Sequence, residues 1–149
     1  MGCRRLAATL REYGVGQGDA VSVLAPNIPA LLEAHFAVPM TGGVLNAVNV
    51  RLDPATVRFQ LEHSGARVFI VDRDLSGTGL KALEGMDNPP VLVEIDDPDA
   101  AGESFHDVHY ETVLQQADPD FPCEPPDDEW RAISLNYTSG TTGDPKGVV

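Results

Sequence analysis

Short, almost uniformly apolar runs rich in β-branched residues recur along this chain, each separated from the next by a stretch of helical spacing. Ala20-Val21-Ser22-Val23-Leu24-Ala25, residues 44–48 and Arg67-Val68-Phe69-Ile70-Val71-Asp72 are the clearest. Apolarity at successive positions, rather than at every second one, marks strands covered on both faces. Leu6, Leu10 and Tyr13 repeat at helical spacing before the glycines at 14–18, where a left-handed cap is tolerated. Pro26 and Pro29 open a second helix through Leu31, Leu32, His35 and Phe36, which Pro39 and Gly42-Gly43 close. Asp53-Pro54 supplies an N-cap and a first-turn proline to a third, carrying Val57 and Leu61 and stopping at Gly65. Beyond it the pattern predicts a helix near 78–83, a strand at 91–95, a short helix at 110–116 and a final strand at 132–137. Strands alternating with helices predict an α/β fold with a mostly parallel sheet and flanking helices.

The last predicted strand runs into Tyr137-Thr138-Ser139-Gly140-Thr141-Thr142-Gly143-Asp144-Pro145-Lys146-Gly147, two residues before the chain ends at Val149. Glycines, hydroxyl side chains and one lysine packed this closely supply free backbone N–H groups, further donors and a positive point charge, which together make an anion cradle. The spacing is not that of the common nucleotide loop, in which two glycines bracket four residues ahead of Lys and Ser or Thr. Pro145 stands where the second glycine would be, and Gly147 follows Lys146 in place of a hydroxyl residue. A flexible Gly/Ser/Thr connector is the plain alternative, and Lys146, Pro145 and the preceding strand argue against it. Open α/β sheets place ligands just past the carboxyl ends of their strands, where this segment falls.

Tyr-Thr-Ser-Gly-Thr-Thr-Gly-x-Pro-Lys-Gly resembles the signature of the AMP-forming adenylating enzymes, which include acyl-CoA synthetases, luciferases and the adenylation domains of peptide synthetases. Ala25-Pro26-Asn27, the run from Ala34 to Met40 with Gly42 and Gly43, and Asn49-Val50-Arg51-Leu52 are similar to early segments of the acyl-CoA synthetases. Within the family the similarity points toward short- and medium-chain fatty-acyl-CoA and methylmercaptopropionate-CoA ligases. The resemblance implies that residues 1–149 are a fragment of the large N-terminal AMP-binding domain, with an acidic, proline-rich surface connection at about 84–130 and the phosphate loop at 138–147. It also implies a parent enzyme that activates a carboxylic acid with ATP to an acyl-adenylate and transfers the acyl group to coenzyme A, the fragment alone being inactive. Thr138, Ser139, Gly140, Thr141, Thr142, Gly143 and Lys146 would hold the ATP phosphates, Lys146 would stabilise the departing pyrophosphate, and Thr138 would also contact Mg2+. Two other readings stay open: a non-catalytic nucleotide-binding or interaction module, and an adenylation domain that passes its adenylate to a carrier protein.

The net charge of −13 looks unsuited to gripping a triphosphate until it is divided along the chain. Residues 82–130 hold fifteen of the twenty-three acidic side chains, seven of the twelve prolines and no Lys or Arg, so the acidity is local. A solvated face is the bland reading of such a stretch, and it repels nucleic acid. No apolar run is long enough to span a bilayer, and the N-terminal segment with Arg4, Arg5 and Arg11 lacks a leader's apolar core, so a cytoplasmic protein is expected. Cys3 and Cys123 have no paired spacing and read as free thiols. His35 and His63 read as packed or surface side chains. His106 and His109 have metal-like spacing but no third ligand nearby. Trp130, just before the final strand, reads as a packing anchor.

Overall fold

The computed structural model describes residues 2–96, 103–123, 126–138 and 145–149. Helix α1 (Gly2–Glu12) leads into β1 (Ala20–Leu24), α2 (Pro29–Met40), β2 (Val44–Ala47), α3 (Pro54–Ser64) and β3 (Val68–Asp72). A 3-10 turn at Arg73–Leu75 precedes α4 (Ser76–Leu83), β4 (Val91–Ile95), α5 (Tyr110–Gln116), β5 (Asn136–Thr138) and β6 (Lys146–Val148). The first four strands form one parallel sheet in the order β2-β1-β3-β4, the architecture expected from the alternation of strands and helices.

The sheet is covered on both faces, which is why its central strands are apolar at nearly every position. Val21, Val23, Val68, Ile70 and Val93 point into a core shared with Leu6 and Leu10 of α1, Ala34 and Val38 of α2, and Leu114 of α5. The alternate residues Leu24, Phe69 and Val71 point the other way, against Val57 and Leu61 of α3 and Ala82 of α4. Strand periodicity of two sorts one run of residues into both cores.

The helix ends follow their local chemistry. The Asp53 carboxylate accepts from the N–H groups of Ala55 and Thr56, and Gly65 closes α3 in the left-handed conformation at φ 60°. Together these fix the length of α3, and so the position of the side chains on its last turn.

The acidic stretch contributes to the core. In β4, Glu94 is fully buried, and Val93 and Ile95 belong to the first core cluster. On α5, Tyr110 is 1% exposed and its hydroxyl donates to Glu33 Oε2 at 2.6 Å. Burial, with the Glu33 carboxylate beside it, pushes this phenol far above its ordinary value, so it stays a donor. Arg5 of α1 donates to the carbonyls of Leu114, Gln115 and Ala117, placing a cation on the C-terminal end of α5.

Two expectations are corrected. The final strand does not run as one piece over 132–137. Leu45 N–H donates to the Ile133 carbonyl and Leu135 N–H to the Leu45 carbonyl, a single parallel bridge to β2 around Ser134. The chain then leaves the sheet, because residues 136–138 find antiparallel partners in β6. Trp130 is no packing anchor but 97% exposed. Its backbone N–H is held by the Asp128 side chain in a tight turn, and that turn carries the indole away from both cores.

Candidate functional site

The bridge at Ser134 is parallel to β2, so the chain enters β5 travelling in the direction of the parallel strands, toward their carboxyl end. There it pairs with β6 in an antiparallel register that sets Asn136 against Val148, Tyr137 against Gly147 and Thr138 against Lys146. Directly opposed residues project their side chains to the same face. Thr138 and Lys146 therefore share one face of the hairpin, both exposed, while Tyr137 lies on the other. A hydroxyl and an ammonium side by side on an open face offer a hydrogen-bond donor and a mobile positive charge to an anion.

Tyr137 reaches back to α3. Its Oη lies 2.9 Å from His63 Nδ1 and 3.5 Å from the Gln60 carbonyl. His63 in turn stacks on Phe59 with ring centroids 5.4 Å apart, and the tyrosine ring meets both at an angle of 77°. Burial pushes the Tyr137 phenol up, although the Ser64 hydroxyl pulls the other way, so the phenol keeps its proton at neutral pH. Opposite Tyr137 a side chain would be crowded: a Cβ on Gly147 would stand 3.0 Å from Leu135 Cδ1 and 3.7 Å from His63 Cε1.

Thr138 and Lys146, two of the residues predicted to hold phosphate, are thus brought together. Ser139, Gly140, Thr141, Thr142 and Gly143 lie outside the described residues. His63, read from sequence as a packed or surface histidine, joins the predicted segment through Tyr137. The i, i+4 spacing of Phe59 and His63 on α3 predicts their stacking but not the contact with Tyr137.

The other sequence candidates lie elsewhere. His35 is exposed and its Nδ1 stays with the Leu31 carbonyl at 2.8 Å, one turn back on its own helix. His106 Nδ1 accepts from Val108 N–H, and His109 Nδ1 stands 4.0 Å from Glu94 Oε2, so the pair serves the turn before α5. Cys3 and Cys123 are unpaired.

Glu94 forms the most charged buried cluster described. It accepts from Arg73 Nε at 2.7 Å, the Ser104 hydroxyl at 2.9 Å and the N–H groups of Phe105 at 2.9 Å and His106 at 3.0 Å. Arg73 also pairs with Asp96. Burial works to raise the Glu94 pKa, but the arginine and the three other donors outweigh it and hold the carboxyl below its ordinary value. The cluster sits on β4, at the opposite edge of the sheet from β2, and its donors tie residues 104–106 to the sheet.

A profile of the family described as AMP-binding enzyme matches residues 2–149. The chain is 45% identical to the peroxisomal acetate/butyrate–CoA ligase AAE7 of Arabidopsis thaliana, over 99% of this chain and 28% of that protein. It is 44% identical to the acetate–CoA ligase CCL3 of Humulus lupulus over the same shares. Among solved structures, the inhibitor-bound N-terminal domain of FACL13 from Mycobacterium tuberculosis is similar at a TM-score of 0.78 and 28% identity, over 98% of this chain and 34% of that one. The chain spans little more than a quarter of the length of the curated relatives it matches.

Proposed function

The chain belongs to the AMP-binding enzyme family, and from that premise we propose that it is the phosphate-gripping part of an acid–CoA ligase. The observation that carries the reading is the exposed pairing of Thr138 with Lys146 beyond the carboxyl end of the parallel sheet, in a chain similar to two acid–CoA ligases. In the proposed reaction a carboxylate oxygen forms a bond to the α-phosphorus of ATP as the bond to the pyrophosphate oxygen breaks. The sulfur of coenzyme A then attacks the acyl carbon, and AMP leaves.

Negative charge gathers on the departing pyrophosphate, so the catalyst's task is to hold it and neutralise it. Lys146 supplies charge without the fixed fork of a guanidinium, which suits an oxygen that moves during the reaction. Ser139, Thr141 and Thr142, with the N–H groups of Gly140 and Gly143, are proposed to hold the β- and γ-phosphate oxygens. Mg2+ takes few protein ligands and keeps its substrate phosphates and waters. The Thr138 hydroxyl, exposed and beside Lys146, fits as one such ligand, and the ion would add further neutralisation of the phosphates.

The 149 residues alone are proposed not to turn over, since the acid, adenine and CoA need surfaces beyond this one segment. Among the described residues no helix is long and apolar enough to cross a membrane. A cytoplasmic location is the sequence-based reading and one similar ligase is peroxisomal by name, so cell fractionation of the parent protein decides the compartment. The functional test is incubation of the parent protein with ATP, Mg2+, CoA and a series of small carboxylic acids. The proposal predicts acid-dependent AMP release and an acyl-CoA thioester. AMP release only when a carrier protein replaces CoA would favour the carrier-dependent reading, and no acid-dependent AMP at all would overturn both.

A further inference from the structure

We propose that His63 is a positioning residue for the Thr138–Lys146 pair and acts through Tyr137. The inference rests on the proposed function, since it assigns a role in binding ATP. A two-stranded ribbon is marginal by itself, and among the described residues the β5–β6 ribbon has three paired positions. Among the described residues it meets the large sheet at one bridge, between Leu45 and Ser134, two residues before β5 begins. Nothing in that bridge fixes how the ribbon is rotated about its own axis.

His63 supplies one such constraint, beside the Ser64 hydroxyl and the edge-on contact of Phe59 with the Tyr137 ring. Its Nδ1, 2.9 Å from Tyr137 Oη, makes the short polar tie between α3 and the ribbon, while the Gln60 carbonyl at 3.5 Å is a weak one. Stacking on Phe59 holds the imidazole plane in place. The bare Gly147 opposite Tyr137 leaves room for the imidazole edge against the ribbon. Because side chains alternate along a strand, drawing Tyr137 toward α3 turns its neighbour Thr138, and Lys146 opposite it, to the open face. The histidine touches neither of them, so its effect on ATP is indirect.

The test uses the full-length ligase that contains this chain. Loss of one hydrogen bond that sets an anion site predicts that His63→Ala raises the KM for ATP by about tenfold and leaves the KM for the carboxylic acid within about twofold. His63→Asn, whose amide nitrogen can stand where Nδ1 does, should return most of the ATP affinity. The double variant His63→Ala with Tyr137→Phe should be no worse for ATP than either single change, because both remove the same contact. An unchanged ATP KM in His63→Ala overturns the inference. So does a parallel rise in both KM values with no recovery in His63→Asn, which is the mark of general damage. If the unaltered enzyme shows no acid-dependent ATP–pyrophosphate exchange, the ligase reading itself falls and takes this inference with it.

Discussion

Thr138 and Lys146 stand directly opposite each other across the antiparallel β5–β6 pair, with Tyr137 and Gly147 opposed one step further back. The register divides the hairpin into a face turned to α3 and an open face carrying a hydroxyl and an ammonium group. The packed face and the face proposed to meet phosphate are thereby separated by one residue.

The crowding at Gly147 makes this division testable. A methyl group there meets the end of the Leu135 side chain at 3.0 Å, which a small rotation relieves, so Gly147→Ala should keep ATP KM within about threefold. A β-branched side chain would press on Tyr137 and His63 as well, so Gly147→Val should raise ATP KM by about tenfold or more. Steady-state kinetics of the two variants checks this, and equal values for both would remove the packed face from the account.

Gly79 lies where α4 crosses β3 most closely. A Cβ there would stand 2.8 Å from Cγ1 of Val71, a stiff and fully buried side chain. Alanine would gain about 1 kcal/mol in helix propensity, but overpacking costs about 1–3 kcal/mol. We expect Gly79→Ala to destabilise by about 1 kcal/mol in urea unfolding, and Val71→Ala in the same chain to recover part of that loss. A stabilised Gly79→Ala would contradict the close approach.

The Glu94 cluster sets a pH dependence with a definite sign. Its carboxyl titrates below the ordinary value of 4.5 when folded, so the unfolded chain takes up protons first on acidification. The stabilisation is therefore fully present above pH 4.5 and is lost as pH falls through the folded value. Glu94→Gln should be less stable at neutral pH by about 2 kcal/mol, the scale of hydrogen bonds to a charged group. Its stability curve should converge on that of the unaltered protein below pH 4.5. Urea titrations between neutral and acid pH would show this, and parallel curves would mean that Glu94 carries no such linkage.

The parts of the fold that local chemistry decides were legible in the sequence. Asp53-Pro54 and Gly65 bound α3 in the structure as their cap chemistry requires, and the apolar runs mark the four parallel strands. What could not be read depends on distant partners. Glu94 is buried because Arg73, twenty-one residues away, and the turn at 104–106 meet it, and none of this leaves a local pattern. The break between the Ser134 bridge and β5 reflects two distant partners on successive stretches of backbone, Leu45 at 133–135 and β6 at 136–138. Trp130 read as a packing anchor from its place just before the final strand, whereas the Asp128 turn points it outward. In the candidate site, Lys146 and Thr138 were visible from composition. His63 was not, because its partner Tyr137 lies seventy-four residues away.

Lys146, held beside Thr138, is proposed to neutralise pyrophosphate as it leaves ATP. Acid-dependent ATP–pyrophosphate exchange by the full-length enzyme tests it most directly, comparing the unaltered protein with Lys146→Ala. The account predicts exchange in the first and a loss of roughly a hundredfold in the second, the scale of removing one preorganised charge-stabilising group. Exchange at an unchanged rate in Lys146→Ala would contradict it.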